Sequence, residues 1–79
     1  MEQKIEKVFL ILSEICGVDK EHITMDLSLE DDMGITSVSF VETLARIEQE
    51  FEMELGDNAY DITRYKTVED IANIVNNTK

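Results

Sequence analysis

A small all-α bundle is predicted by three features of the chain. It has no proline and only three glycines in 79 residues, a mixture that favours helices. Apolar residues recur at steps of three and four over three separate stretches. Strand-type alternation is confined to Phe51–Leu55, where it is short and continues a helical pattern. The length sets one domain, near the lower size limit for a self-sufficient core.

The first stretch carries Ile5, Val8, Phe9, Leu12, Ile15 and Cys16, one stripe on a helix from Glu2 to Cys16 with Gly17 as its stop. Glu6, Ser13 and Glu14 interrupt its apolar run, and no small-residue cleavage site follows. The segment therefore reads as an amphipathic helix of a cytoplasmic protein rather than a signal peptide. The second stretch carries Val38, Val41, Leu44, Ile47 and Phe51 on a helix from Ser37 to Met53, with Phe40 and Leu55 widening or extending the stripe. The third carries Val68, Ile71, Ala72, Ile74 and Val75. Thr67 stands before it as N-cap, and Glu69 and Asp70 lie in the first turn, where negative charge suits the helix dipole.

Two connections remain. Residues 18–36 make a long loop, and loops of that length are usually functional or disordered. Val18, Ile23, Leu27, Leu29 and Met33 can pin it to the core. Residues 56–66 have room for one or two helical turns, with Tyr60, Ile62 and Tyr65 packing inward. The expected architecture is thus three principal helices plus one short helix.

Charge narrows the partners. The net charge is −11, and the segment from Asp26 to Asp61 holds eleven acids and one base, Arg46. The other 43 residues are close to balance. Nucleic acid and anionic membrane surfaces are disfavoured, because both call for a basic patch. The acidic segment suits basic patches on other proteins, and equally suits a solvated face kept for solubility. No run of eighteen apolar residues offers a membrane span. A monomer is expected.

Most chemistry is excluded by residue supply. One His and one Cys cannot build a tetrahedral zinc site. A calcium loop starting at Asp26 would need glycine where Asp31 stands and glutamate where Ser37 stands, so no specific metal site is expected. There is no glycine-rich phosphate loop. The many carboxylates lack any sign of a dry pocket that would tune one for acid–base work. Cys16 reads as a small buried hydrophobe; a nucleophilic role would need a base, and His22 is the sole histidine.

The segment Asp32-Met33-Gly34-Ile35-Thr36-Ser37-Val38 stands apart. A polar loop passes a glycine, and a hydroxyl residue then opens a helix. Ser37 can be an N-cap, accepting a backbone N–H from the next turn. It can also be an exposed hydroxyl on which a phosphodiester would sit at the positive end of the helix dipole, beside free N–H groups.

With these residues in register the chain resembles the acyl carrier proteins over nearly its whole length. The markers are Gly17-Val18 at the first helix end, Gly34-Ile35-Thr36-Ser37-Val38 in the place of a Gly-x-Asp-Ser-Leu type motif, Glu48-Gln49-Glu50-Phe51, and Thr67-Val68. The resemblance implies a protein with no catalysis of its own. A phosphopantetheinyl transferase would place 4′-phosphopantetheine from coenzyme A on Ser37, and the terminal thiol would carry acyl groups as thioesters. It also implies docking to acyl-transferring or condensing enzymes with basic patches, through Asp32, Val38, Glu42 and Glu48. Val38 is expected to touch partners while staying near the bundle interior.

Several positions depart from the family pattern. Thr36 stands where the family has an aspartate that helps engage the transferase. Arg46 breaks the negative field of the second helix, Phe40 and Thr43 differ in size and polarity, and residues 56–66 run slightly longer. Together they suggest a carrier for a specialised pathway. Methionines at 25, 33 and 53 and modest stability would let the helices part to admit an acyl chain. Two other readings fit the same residues: a peptidyl or aminoacyl carrier, and an acidic interaction module that has lost the carrier role.

Overall fold

The computed structural model describes residues 3–76. Three helices form, α1 (Gln3–Cys16), α2 (Ser37–Glu50) and α3 (Val68–Asn76). The expected first residue of α1, Glu2, lies outside the described residues. Three short 3-10 turns cover Lys20–His22, Asp57–Tyr60 and Ile62–Arg64. The short fourth helix expected within residues 56–66 is therefore a pair of 3-10 turns. None of the described helices is long and apolar enough to cross a membrane.

The first helix stops where its sequence says. Gly17 sits at φ 73°, a left-handed conformation that costs glycine little, and donates its N–H to Ser13 O at 2.9 Å. The stop of α2 comes three residues sooner than the periodicity suggests. Glu52 takes φ 50°, Met53 N–H reaches back to Glu48 O at 3.0 Å, and Glu52 N–H reaches Gln49 O at 3.4 Å. This is the Schellman closure usually built on glycine, here built on a glutamate at a strain of about 1–3 kcal/mol. No glycine marks the spot, so the apolar pattern runs through it unannounced.

Inside, α1 packs Ile5, Val8, Phe9, Ile11 and Leu12 against Phe40, Leu44 and Ile47 of α2 and Val68, Ile71, Ala72 and Val75 of α3. The stripe on α2 differs from the one expected. Val38 is 69% exposed and Val41 49%. Steps of three residues wind about 300°, so a stripe drawn through 38, 41, 44 and 47 drifts around the helix. The face centred on Phe40, Leu44, Ile47 and Phe51 wins, and Val38 falls about 150° from its centre. Thr43 completes that face, fully buried, its Oγ1 donating to Ser39 O at 2.8 Å. A buried hydroxyl is tolerated because that bond satisfies it.

The long loop is ordered by its backbone. Ile23, Leu29, Met33 and Ile35 are buried, while Val18 and Leu27 are half-buried. Leu29 N–H donates to Lys66 O, Val68 N–H to Leu27 O and Glu69 N–H to Met25 O, at 2.9–3.0 Å. A single antiparallel bridge joins Ser28 and Thr67. The carboxylate of Asp70 accepts from Lys66 N–H at 2.7 Å and Thr67 N–H at 3.2 Å, which closes the start of α3 from within its first turn. The loop and the beginning of α3 thus form one hydrogen-bonded layer across the end of the bundle.

Ile71 is wholly buried in this core. Ile71→Ala should cost about 2–5 kcal/mol, a large share of the roughly 4–12 kcal/mol available to a domain of this size. Urea unfolding followed by circular dichroism checks it; a loss under about 1 kcal/mol would mean the core closes around the gap.

Candidate functional site

The loop delivers the chain to α2 through a left-handed glycine. Gly34 has φ 66°, and Ile35 N–H then bonds Leu29 O at 2.8 Å, drawing the strand-like segment back onto the loop's own middle. Ile35 is buried, which anchors the residue two before Ser37.

Thr36, not Ser37, caps α2. Its backbone is extended (φ −109°, ψ 175°), and its Oγ1 accepts from Ser39 N–H at 3.1 Å. Thr36 Oγ1 also lies 3.1 Å from Ser39 Oγ, and Phe40 N–H donates to Thr36 O at 2.8 Å. Such a cap stabilises a helix by about 0.5–2 kcal/mol. Thr36 therefore holds a structural post at the position where the sequence departs from the family pattern.

With capping done by its neighbour, Ser37 is the first residue of α2 and is exposed. Its hydroxyl has no hydrogen-bond partner among the described residues. It opens onto a shallow depression of about 400 Å³ shared with Val38, Val41 and Glu42. A phosphodiester fits these surroundings: the hydroxyl is accessible, no internal bond must break, and the positive end of the helix dipole lies beside it.

The other anticipated residues divide into two groups. Val38 and Glu42 lie with Ser37 on the outward face of α2, both exposed. Asp32 is exposed too, and its Oδ2 accepts from Ser28 N–H at 2.8 Å, so it also braces the loop turn. Val38 does not stay near the interior, for the angular reason given above. Glu48 sits on the flank of α2 and is half-buried. Its Oε2 accepts from Leu55 N–H at 2.7 Å and its Oε1 from Tyr60 Oη at 2.8 Å. Those bonds hold the Glu48 carboxyl below its usual range, the Leu55 N–H contributing most. Burial and the adjacent carboxylate push Tyr60 up to about 12. Glu48 thus clamps the chain after its sharp turn, a role the sequence does not disclose because both partners lie beyond the helix end.

Arg46 is also engaged. Its guanidinium lies 2.7 Å from Glu14 Oε1, and Lys7 pairs with Glu50 at 3.2 Å. These exposed pairs between α1 and α2 are worth about 0–1 kcal/mol each. Cys16 is half-buried, and burial pushes its thiol pKa up, which leaves it a poor nucleophile. Among the described residues no group of three His, Cys, Asp or Glu side chains is placed to hold a metal ion.

Three helices around one core, with an unpartnered hydroxyl at the outer start of the middle helix, define a carrier-type bundle. The family described as phosphopantetheine attachment site matches residues 6–75. An acyl carrier protein of Guillardia theta is 44% identical over 59 residues, covering 73% of this chain and 73% of that one. The chain belongs to the acyl carrier protein family. Its role is that of a carrier working through phosphopantetheine, not of an enzyme.

Since the Glu48 carboxyl titrates lower in the folded chain than in the unfolded one, its clamp is fully present above about pH 4.3 and fades as pH falls through the lower folded value. Glu48→Gln should lower the urea midpoint at pH 7 and narrow the gap to wild type by pH 3. A constant gap across that window would show that titration of this carboxylate plays no part.

Proposed function

We propose that Ser37 is the attachment residue, and that the chain carries acyl thioesters on its arm for partner enzymes of a specialised cytoplasmic pathway. The observation that supports this most directly is the exposed Ser37 hydroxyl, free of internal bonds, at the first position of α2. Bound at Ser37, 4′-phosphopantetheine would supply a long tether ending in a thiol that forms thioesters. In the loading step Ser37 Oγ attacks the phosphorus that bears the pantetheine in coenzyme A. The pyrophosphate bond breaks, adenosine 3′,5′-bisphosphate leaves, and the serine proton passes to a base on the transferase.

Docking follows from the same face. Val38 and Val41 offer an apolar spot beside Ser37, with Glu42 next to it and Asp32 on the preceding loop. Exposed ion pairs to a basic partner give fast, salt-sensitive association that lets the carrier leave after transfer. Glu48 would have to give up its bonds to Leu55 and Tyr60 to join, so Asp32 and Glu42 are the stronger contributors. Phe40 and Thr43, which line the core face of α2, and Thr36 at its cap mark this carrier off from the common pattern and favour a dedicated pathway.

Incubation with coenzyme A and a broad-specificity phosphopantetheinyl transferase should add one arm by intact mass, and Ser37→Ala should abolish it. No adduct on wild type, or the same adduct on the variant, would sink the assignment. In a second experiment, Glu42→Lys should weaken association with the loading transferase by about fivefold at low salt while circular dichroism stays unchanged. Equal affinity at low salt would remove Glu42 from the docking face.

A further inference from the structure

Another concavity opens beside the loop that leads to Ser37. It is a groove of about 400 Å³ between the long loop and the 3-10 turn Ile62–Arg64. That volume falls within the span of small-molecule sites, about 300–1,000 Å³. Leu29, Ile35, Ile62 and Tyr65 supply its apolar lining, and Glu30 and Lys66 stand at it with opposite charges. Ile35 lies two residues before Ser37, so the groove begins within about 7 Å along the chain of the tether point.

Behind the groove the way inward is shut. Tyr65 faces the groove and meets the buried ring of Phe40, centroids 5.1 Å apart at 55°. Tyr65 Oη donates to Ala59 O at 2.8 Å, which holds the ring in place. Phe40 is itself 1% exposed and belongs to the same buried cluster as Leu44 and Ile71, both fully buried. Parting the helices for a long chain would mean displacing both rings and breaking that hydrogen bond.

Resting on the carrier reading above, we infer that the Phe40–Tyr65 pair limits the cargo of this chain to short acyl groups that stay in the groove. The cargo lies along Leu29, Ile35, Ile62 and Tyr65 and does not enter among Leu44 and Ile71. The tilted rings set the depth available.

Arms bearing butyryl, octanoyl or dodecanoyl groups, transferred from the matching acyl-coenzyme A, test this by NMR. Butyryl should shift the amide signals of Leu29, Ile35, Ile62 and Tyr65. Dodecanoyl should add no shift at Leu44 or Ile71, and its thioester should be cleaved by hydroxylamine as fast as the butyryl one. Phe40→Ala should let dodecanoyl shift Leu44 and Ile71 and slow that cleavage. Because Phe40→Ala empties a packed site, Tyr65→Leu at a half-buried position is made in parallel and should act in the same direction. Dodecanoyl shifting Leu44 or Ile71 in wild type, butyryl leaving the groove unmoved, or folded variants that still exclude dodecanoyl would each overturn the inference. A chain that accepts no arm at all, by mass, removes the carrier reading together with it; a loaded chain with an unmoved groove removes this inference alone.

Discussion

The point at which α2 begins governs the whole functional face, and one hydrogen bond sets that point. Thr36 Oγ1 accepts from Ser39 N–H, so the helix starts at Ser37 and the serine is released from capping. Had Ser37 capped, its hydroxyl would be turned to an N–H in the next turn, and its use as an attachment point would compete with the helix start. The cap can act only because Thr36 is held extended. Gly34 in its left-handed turn and Ile35, bonded to Leu29 and buried, hold it there. A chain of short-range constraints therefore converts a 19-residue loop into a rigid lead to one hydroxyl.

That loop has little secondary structure of its own and borrows order from α3. Its carbonyls at Met25 and Leu27 take the first N–H groups of α3, which a helix leaves without internal partners. Lys66 O in turn takes Leu29 N–H. Helix end and loop middle satisfy each other, which is how a small domain can bury a long connection without orphaned polar groups. The same layer forms one wall of the groove that Ile35 lines two residues before Ser37.

At the far end of α2 the stabilising logic is electrostatic. A glutamate in the left-handed region turns the chain, and Glu48 secures the turn by accepting from Leu55 and Tyr60. The acidic segment is thus not uniform. Asp32, Asp70 and Glu48 are partly or wholly committed to backbone and hydroxyl donors, and Glu14 and Glu50 to cations on the neighbouring helix. Glu42 keeps no such partner among the described residues and stands exposed beside Val38 and Val41. The negative charge of this exposed face of α2 is what the fold leaves unpaired.

Local chemistry was enough to read three helices, the stop at Gly17 and the start of α2 within a residue, because periodicity, glycine and hydroxyl residues act over one or two turns. It was also enough to read the family, whose markers are short motifs in register. Tertiary structure alone decided which way α2 faces: Val38 and Val41 looked like core by spacing, and packing against α1 and α3 preferred Phe40, Thr43, Leu44 and Ile47. It alone decided that α2 ends at Glu50, that Thr36 rather than Ser37 caps, and that Glu48 binds inward. Each of these depends on partners brought together by folding, and the energy differences involved are about 1–2 kcal/mol, too small for a pattern along the chain to arbitrate.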